Sequence, residues 1–534
     1  MRDKQGSGQN RMAKETTQRF RPGSSPRRTW AIAAIIVVIV VVAGIVALPI
    51  AGQVLSPLIR DRVIRTLKEA YESDVRLRNL RVTIFPWVHV DGEGLVLRYH
   101  GRADLPPLIS ITRFSGDAGW LGLLHSPARV GRVRLEGLQI HVPPRHGDSV
   151  PNRSKPDIPR FVIAEVDADG TLLEILPNKP GKNPLKFDIR RLRLWGAGRA
   201  DSPMSFRATL TNAKPVGEIH SEGQFGPWVK DALSLTPVAG NYTFEHADLS
   251  VFRGISGLLS SQGSYHGVLE AIQIRGTTDT PDFKLDVSGN PVHLQTQFQA
   301  AVDGTDGDTK LEPVNAQFGH SSVTAYGTIE GKSGVPGKTI SLDVSVAAGR
   351  LEDMLRLGVK SSRPVMTGTI AFHTRLLLPP CDRDVVERLH LNGQFIAGAA
   401  HFTKPDVQHK VNELSNRSRG NPEDGDEGRV SSNFRGSFVL QNGLMTFKNL
   451  AFLVPGAEIR LSGTYALRNG QMDFRGTASL QAKLSETTTG IKSFLLKAVD
   501  PFFKKKEAGA VIPIKITGTK DSPSFGLKLE GGQG

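Results

Sequence analysis

Hydrophobic residues follow three different patterns along this 534-residue chain. The first pattern is an uncharged run from Trp30 to Ala51. A helix of this length reaches roughly 33 Å and is apolar on every face, as expected of a helix that crosses a bilayer. A cleaved signal peptide is the alternative, but its apolar run is usually only about 7 to 15 residues long. We predict a transmembrane helix over residues 30–51, with Trp30, Ile36, Val40, Ile45 and Ile50 as anchoring residues.

The second pattern is an alternation of apolar and polar residues, which is typical of strands with one buried face. A short helix precedes it, because Ser56-Pro57 supplies an N-cap and a first-turn proline, and apolar residues then recur at helical spacing up to Tyr71. From Val75 onward the period is two, and Gly, Pro, Asn and Asp separate the runs. Most of the remaining chain is therefore predicted to form β-strands.

The clearest alternation lies late in the chain. Apolar positions alternate from Ile459 to Leu467 and again from Met472 to Leu480, on either side of Asn469-Gly470. This predicts a hairpin with one apolar face, and Asn442-Gly443 predicts a similar hairpin just before it. The apolar positions of both hairpins are candidates for lining a groove: Phe438, Leu440, Ile459, Leu461, Tyr465, Leu467, Met472, Phe474 and Leu480.

The third pattern, an apolar residue every three to four positions, predicts a few helices. Residues 351–359 and the start of the polar tract 404–428 follow it, and Asp248 to Leu259 follows it less closely. In residues 488–506 lysines surround one apolar face, and such a basic amphipathic helix either packs on the end of the sheet or docks on a membrane surface or a partner. Its apolar residues are Ile491, Phe494, Leu495, Val499, Phe502 and Phe503.

Charge determines the orientation of the predicted anchor. The tail of residues 1–29 contains eight Lys or Arg and two acidic residues, and such basic tails stay in the cytoplasm. Residues 52–534 then lie across the membrane. They hold 59 Lys and Arg against 50 Asp and Glu, and this small excess is not clustered with aromatic residues as in a nucleic-acid interface. No nucleic-acid partner is expected.

Sequence motifs for catalysis and metal binding are absent. The chain has no GxSxG, HExxH, Walker-type loop, CxxC or Rossmann fingerprint, and its one cysteine is Cys381. His401 and His409 flank Asp406 at a spacing unlike that of metal ligands. The acidic runs 303–308 and 423–427 lack the EF-hand order, so we interpret them as solvated hairpin tips rather than calcium sites. We expect no enzyme activity, no cofactor and no metal.

Strands with one apolar face must cover that face, and this chain offers few helices to do so. Either two sheets pack as sandwiches, or one long sheet curls so that its apolar face lines a groove. We favour the second arrangement: a mainly β fold in which a single transmembrane helix precedes an elongated, curled antiparallel β-sheet with few short helices. An apolar groove suits the acyl chains of a lipid.

The predicted organisation has seven parts. They are a cytoplasmic tail (1–29), the transmembrane helix (30–51), a helix with the first strands (52–142), a linker (143–160), the middle groove strands (161–403), a polar insertion (404–430) and a C-terminal β region (431–529) that contains helix 488–506.

Two regions resemble one known family. In residues 30–142, the anchor, the short helix, VRLRNLRVTIFPWVHVDGEGLVL and VGRVRLEGLQIHV follow the order of the N-terminal region of AsmA-type envelope proteins. The run GSFVLQNGLMTFKNLAFLVPGAEIRLSGTYALRNGQMDFRGTASL is similar to the C-terminal region of that family. The resemblance implies an inner-membrane protein of a double-membraned bacterium, whose periplasmic β-groove is similar to those of chorein-like and TamB-like lipid-transfer bridges.

Two functions are therefore expected. The first is non-enzymatic transfer of phospholipids toward the outer membrane, which serves outer-membrane homeostasis and has phospholipids and the inner membrane as partners. The alternative is a scaffold or assembly factor that contacts outer-membrane or other envelope proteins through closed β-sandwich domains.

Overall fold

The computed structural model of the chain describes residues 64, 74–83, 88–98, 104–119, 128–145, 161–197, 202–227, 229, 232–419, 429–481, 511–519 and 522–526. The predicted transmembrane helix 30–51 and amphipathic helix 488–506 lie outside these residues, so both stay predictions. In the helix predicted after Ser56-Pro57, Ile64 is described; it is helical and packs against the core. Within the described ranges, no helix is both long enough and apolar enough to cross a membrane.

The described residues form 25 strands, and all of them join one sheet. The first nine are β1 (Val75–Thr83), β2 (Val88–Leu97), β3 (Ile109–Ala118), β4 (Ala128–Glu136), β5 (Gln139–Val142), β6 (Phe161–Ile175), β7 (Leu185–Ala197), β8 (Met204–Ala213) and β9 (Val216–Phe225). The next eight are β10 (Pro237–Asp248), β11 (Ile255–Ser256), β12 (Leu258–Val268), β13 (Ala271–Leu285), β14 (Val292–Val302), β15 (Thr309–Phe318), β16 (Ser321–Gly331) and β17 (Lys338–Arg350). The last eight are β18 (Met366–Leu378), β19 (His390–Phe402), β20 (Ser432–Gln441), β21 (Leu444–Val454), β22 (Ala457–Ala466), β23 (Gln471–Leu480), β24 (Val511–Thr519) and β25 (Pro523–Gly526).

Nearly every strand pairs with its neighbour in sequence in antiparallel fashion. The exceptions lie near the beginning, where β4 and β5 pair with β3 on one side and run parallel to β6 on the other, and at β11, which pairs with the end of β13. The described strands thus form one long curled sheet, as predicted, and not the alternative of two stacked sheets.

The connections between antiparallel strands lie alternately on the two edges of the sheet. We call these edges the first and second rims. The first rim includes the connections 176–184, 214–215 and 249–257. The second rim includes the connections 269–270, 303–308, 332–337 and 379–389.

The first eight strands bury most of their apolar face. Val90, Leu95, Val133 and Leu135 are at most 1% exposed and belong to a core that extends from β1 to β8. Buried and exposed residues alternate along β1, as the period of two predicts. This end of the sheet is therefore a packed hydrophobic core.

From β9 to β23 the alternation continues, but most of the apolar face is only half-buried. Exposed and half-buried residues alternate along nearly all of β12 and β14, and again along the first half of β23. Leu461 and Phe474, for example, are half-buried. Because no second sheet covers this face among the described strands, its apolar side chains keep part of their surface accessible.

Three α-helices lie wholly within the described residues: α1 (Leu351–Gly358), α2 (Val385–Arg388) and α3 (Pro405–Ser418). The positions of α1 and α3 confirm the helices predicted at 351–359 and at the start of 404–428. Val411 of α3 packs against Val454 and Ala457. The first half of the predicted polar insertion is therefore a helix that covers part of the first rim.

The weak helical prediction for Asp248 to Leu259 is wrong. This segment contains a 3-10 turn at Leu249–Val251, then β11 and the start of β12. Gly254 and Gly257 have φ values of 97° and 140°. An α-helix requires negative φ, so the chain must turn here.

Both predicted hairpins are confirmed. Asn442 and Gly443 have φ values of 52° and 72°, as a type I′ turn requires, and they join β20 to β21. In the next hairpin Tyr465 lies opposite Met472 and Leu461 lies opposite Gly476. The four residues 467–470 form its connection.

Because the apolar face is packed in the first strands and half-buried in the later ones, the same Leu→Ala substitution is expected to lower the free energy of unfolding by different amounts in the two parts. Leu135→Ala, in the packed core, is expected to lower the free energy of unfolding by about 2 to 5 kcal/mol, because it leaves a cavity. Leu461→Ala is expected to cost clearly less, since Leu461 is already partly accessible. Urea denaturation of the full chain measures both, and equal losses would contradict this division of the sheet.

Candidate binding groove

One row of directly opposed residues crosses the sheet from its first strand to its last. It takes one residue from every described strand except β5 and β11, and each is apolar, glycine or tyrosine. The row is Val82, Val90, Gly116, Val133, Val166, Leu194, Phe206, Gly223, Gly240, Tyr265, Ile274, Ala300, Leu311, Gly327, Leu342, Leu376, Leu391, Leu440, Met445, Tyr465, Met472, Gly518 and Pro523. With strands about 4.8 Å apart, it follows roughly 105 Å of sheet. We call the face that carries this row the inner face.

Eight of the nine predicted groove residues lie on the inner face, and the ninth, Leu467, follows β22 in the turn. The eight are Phe438 and Leu440 of β20, Ile459, Leu461 and Tyr465 of β22, and Met472, Phe474 and Leu480 of β23. Leu440 is 2% exposed, and Leu480 packs in the apolar cluster beneath α3. The other six are half-buried.

Aromatic side chains that the sequence analysis did not select extend this lining across neighbouring strands. The ring centroid of Phe447 lies 6.3 Å from that of Phe395 and 5.9 Å from that of Phe474. A concavity of about 870 Å³ runs along β17 to β23, and its lining combines inner-face residues such as Phe395 and Leu461 with outer-face residues such as Arg460 and Arg475. The ring contacts therefore connect strands β19 to β23 along the inner face.

The outer face of the same sheet carries charge. His373 Nε2 lies 2.6 Å from an Asp343 carboxylate oxygen. Arg132 Nη2 lies 2.8 Å from a Glu165 carboxylate oxygen, and of these four side chains only that of Glu165 is less than half exposed. The sheet is a single layer with one apolar and one polar face.

The two rims meet in the middle of the sheet through a set of ion pairs. Loop 176–184 on the first rim reaches connections of the second rim, where Lys179 Nζ lies 2.9 Å from Asp306 Oδ2 and Lys182 Nζ lies 2.6 Å from Asp308 Oδ2. Hydrogen bonds join Asn178 to Glu270 and Gly334 N–H to the Gly181 carbonyl. We call residues 178–182 together with 270, 303–308 and 331–338 the rim clasp.

The rim clasp corrects our interpretation of the acidic run 303–308. We expected a solvated hairpin tip, but the Asp306 side chain is 0% exposed. Lysine ammonium groups neutralise the run, since Lys179, Lys182 and Lys338 all lie within 4 Å of its carboxylates. These lysines carry the positive charge that a calcium ion would otherwise supply.

Charge pairing in the clasp shifts the pKa values of its members. Burial raises the pKa of Asp308, but hydrogen bonds from Lys182 and from the Gly331 N–H outweigh this effect, and the resulting pKa is about 2. The hydrogen bond to Asp306 raises the pKa of Lys179 above its ordinary value. Both groups therefore stay charged at neutral pH.

A second contact between the rims lies farther along the sheet. The Val385 N–H at the start of α2 donates to the Arg253 carbonyl at 2.8 Å. Lys214 Nζ lies 4.0 Å from an Asp382 carboxylate oxygen. Arg253 and Lys214 belong to the first rim, while α2 and Asp382 belong to the second. Together with the rim clasp, this contact closes the curled sheet over its middle strands.

Six hydroxyl side chains lie together on the inner face of this closed part. We call them the hydroxyl belt: Ser221, Tyr242, Ser261, Tyr265, Thr278 and Thr296. The register places Ser221 opposite Tyr242, Ser261 opposite Thr278, and Thr278 opposite Thr296. Their oxygens pair with each other at 2.7 Å for Tyr265 and Ser221, 3.1 Å for Tyr242 and Ser261, and 2.6 Å for Thr278 and Thr296.

Glycines allow the two tyrosine rings to lie against the sheet. A Cβ at Gly240 would lie 2.9 Å from Cζ of Tyr265, and a Cβ at Gly263 would lie 2.9 Å from Cε1 of Tyr242. Burial raises the pKa of both phenols, and the serine hydrogen bonds offset this only in part. The belt is therefore uncharged at neutral pH.

Other reactive side chains form no site in the described part of the chain. His401 lies in β19, whereas Asp406 and His409 lie in α3. Cys381 is exposed. No three His, Cys, Asp or Glu side chains in the described ranges are placed to hold a metal ion.

No family model, curated protein or solved structure matches this chain. The resemblance to AsmA-type proteins therefore stays a prediction.

The rim clasp predicts a pH dependence of stability. Asp308 has a folded-state pKa of about 2, below the ordinary aspartate value, so its pairing stabilises the fold above about pH 4 and is lost as the pH falls toward 2. Asp308→Asn is expected to lower the free energy of unfolding by about 2 kcal/mol at pH 7 and by nearly nothing near pH 2. Urea denaturation across this pH range measures the difference.

The matched control is Asp473→Asn, which removes a half-exposed ion pair with Arg475 on the outer face. Its effect on the free energy of unfolding is expected to be small at every pH in this range. A pH-independent loss in Asp308→Asn would show that the carboxylate charge is not what stabilises the clasp.

Proposed function

We propose that this protein holds the acyl chains of phospholipids on the inner face of its curled sheet and passes them along that face without catalysing a reaction. The observation that carries the proposal is the apolar row across 23 strands together with its half-buried state from β9 onward. A face that is apolar but incompletely covered is expected to bind an apolar ligand.

The free energy of methylene burial and the length of the apolar row both support the proposal. Burial of one methylene group contributes about 0.8 kcal/mol, so ten methylenes placed on this face contribute about 8 kcal/mol. From β9 to β23, where the apolar face is half-buried, the row follows roughly 60 Å of sheet, which is more than one acyl chain needs. The surface therefore accommodates several lipids in succession, as transfer along a groove requires.

The cellular setting is part of the same proposal. Residues 1–29 are cytoplasmic, residues 30–51 anchor the chain in the inner membrane, and the sheet lies in the periplasm, where it moves lipid toward the outer membrane. This setting rests on the charge asymmetry around the uncharged run and on the resemblance to AsmA-type proteins. The alternative scaffold function requires closed sandwich domains, and the described strands form a single sheet instead.

Site-specific photocrosslinking tests where lipid lies. p-Benzoylphenylalanine in place of Phe474, on the inner face, is expected to capture phospholipid in cells labelled with radioactive phosphate. The same probe in place of Arg475, the exposed next residue on the outer face, is the matched control and is expected to capture little. Equal capture at both positions, or none at Phe474, would contradict the proposal.

A charge on the inner face is expected to weaken lipid binding. Phe474→Arg places a guanidinium group in the path of the acyl chains, where its desolvation is costly. We expect the full chain, purified in detergent, to retain several-fold less phospholipid than the unmodified protein, as measured by mass spectrometry. Ser479→Arg adds the same charge to the outer face of β23 and is expected to retain a normal amount.

A further inference from the structure

We propose that the hydroxyl belt binds the head group of a passing lipid when that head group carries hydrogen-bond donors, as an ammonium or a hydroxyl group does. This inference rests on the proposed function, since it concerns the polar end of the same ligand. It follows from three observations: the closure of the rims, the position of the belt and the direction of its hydrogen bonds.

Closure of the rims determines where a head group can lie. On an open groove, acyl chains lie on the apolar face while the head group stays in water. Where Lys179 and Lys182 bind the acidic turn 303–308, the first rim meets the second, and the way out to solvent between them is occupied by protein. A lipid that passes through this part must bring its head group inside, and a buried polar group is costly unless it finds hydrogen-bond partners.

The belt lies in this closed part. The clasp joins the tip of the β6–β7 hairpin to connections between β12 and β17, and the belt lies on β9 to β14. On both sides along the sheet, the inner face is dominated by Val, Leu, Ile, Phe and Met. The hydroxyl groups are thus concentrated where an enclosed head group needs them.

Hydrogen-bond directions indicate what the belt recognises. Ser221 Oγ donates to the Asn241 carbonyl at 3.1 Å, and Ser261 Oγ donates to the Thr277 carbonyl at 2.9 Å. When each serine gives its one proton to this carbonyl, the tyrosine hydroxyl paired with that serine is the donor in the pair. Both tyrosine oxygens then keep their lone pairs, which can accept a hydrogen bond from a donor on the ligand.

The lack of charged side chains around the belt further restricts which head groups it can bind. Strands β9, β10 and β12 to β14 are described throughout, and their positions that share the inner face with the belt are apolar, glycine or hydroxyl-bearing. No cation lies there to pair with a phosphate. Ethanolamine and glycerol head groups carry N–H or O–H donors, whereas the trimethylammonium group of choline carries none.

The experiment compares three phospholipids with identical dioleoyl chains. The purified full chain is loaded from vesicles of phosphatidylethanolamine, phosphatidylglycerol or phosphatidylcholine, and the retained lipid is measured by mass spectrometry. We expect retention of the first two to exceed that of phosphatidylcholine by about tenfold, as one or two hydrogen bonds would give. Retention of only phosphatidylethanolamine or only phosphatidylglycerol would assign the donor to an ammonium or to a hydroxyl group.

Variants of the two belt tyrosines test whether the belt causes this preference. The double variant Tyr242→Phe with Tyr265→Phe keeps both rings and removes both oxygens, so the preference is expected to fall to within about twofold while phosphatidylcholine retention is unchanged. Tyr326→Phe, at a tyrosine that is 50% exposed on the outer face, is the matched control and is expected to keep the preference.

The outcomes separate the inference from the proposed function. Equal retention of all three lipids by the unmodified protein, or an unchanged preference in the double variant, would overturn the role of the belt while lipid binding stands. Failure to retain any of the three lipids would overturn lipid binding itself.

Discussion

The structure depends on one constraint: a sheet that is a single layer thick has two faces, and in this chain only one of them is polar. Residues alternate between the faces with a period of two, so a continuous apolar row across 23 strands requires that the register be kept at every pairing. At the first eight strands the apolar face packs into a core that contains Leu135. Beyond them the face stays partly accessible, and this incomplete burial is the basis of the proposed function.

The rims divide the inner face into regions with different surroundings. The beginning of the sheet is packed, the middle is closed by the rim clasp and by the contact between Arg253 and Val385, and the strands from β20 onward lie beyond both contacts. A lipid would therefore meet an aromatic and aliphatic surface around Phe447 and Phe474, and a hydroxyl-lined passage near Tyr242. Under the proposed function, lipid enters along the open strands and moves lengthwise through the closed part.

Local sequence patterns predicted the structural features that are determined by a few adjacent residues. The alternation from Ile459 to Leu480 and the turn at Asn442-Gly443 were sufficient for both hairpins, because strand period and turn chemistry are properties of a few adjacent residues. The rim clasp could not be predicted in this way, since Lys179 and Asp306 are 127 residues apart and meet only when the whole sheet curls. The hydroxyl belt was missed for a related reason: each hydroxyl is ordinary in its own strand, and only the register brings Ser221, Tyr242 and Thr278 together.

Electron cryo-microscopy of the full chain purified with bound phospholipid tests the central claim most directly. The account predicts elongated, acyl-like densities that lie against the inner face along the apolar row, near Phe447 and Leu461, with none along the charged outer face. An inner face covered by another part of the protein, or lipid density confined to the outer face, would contradict it.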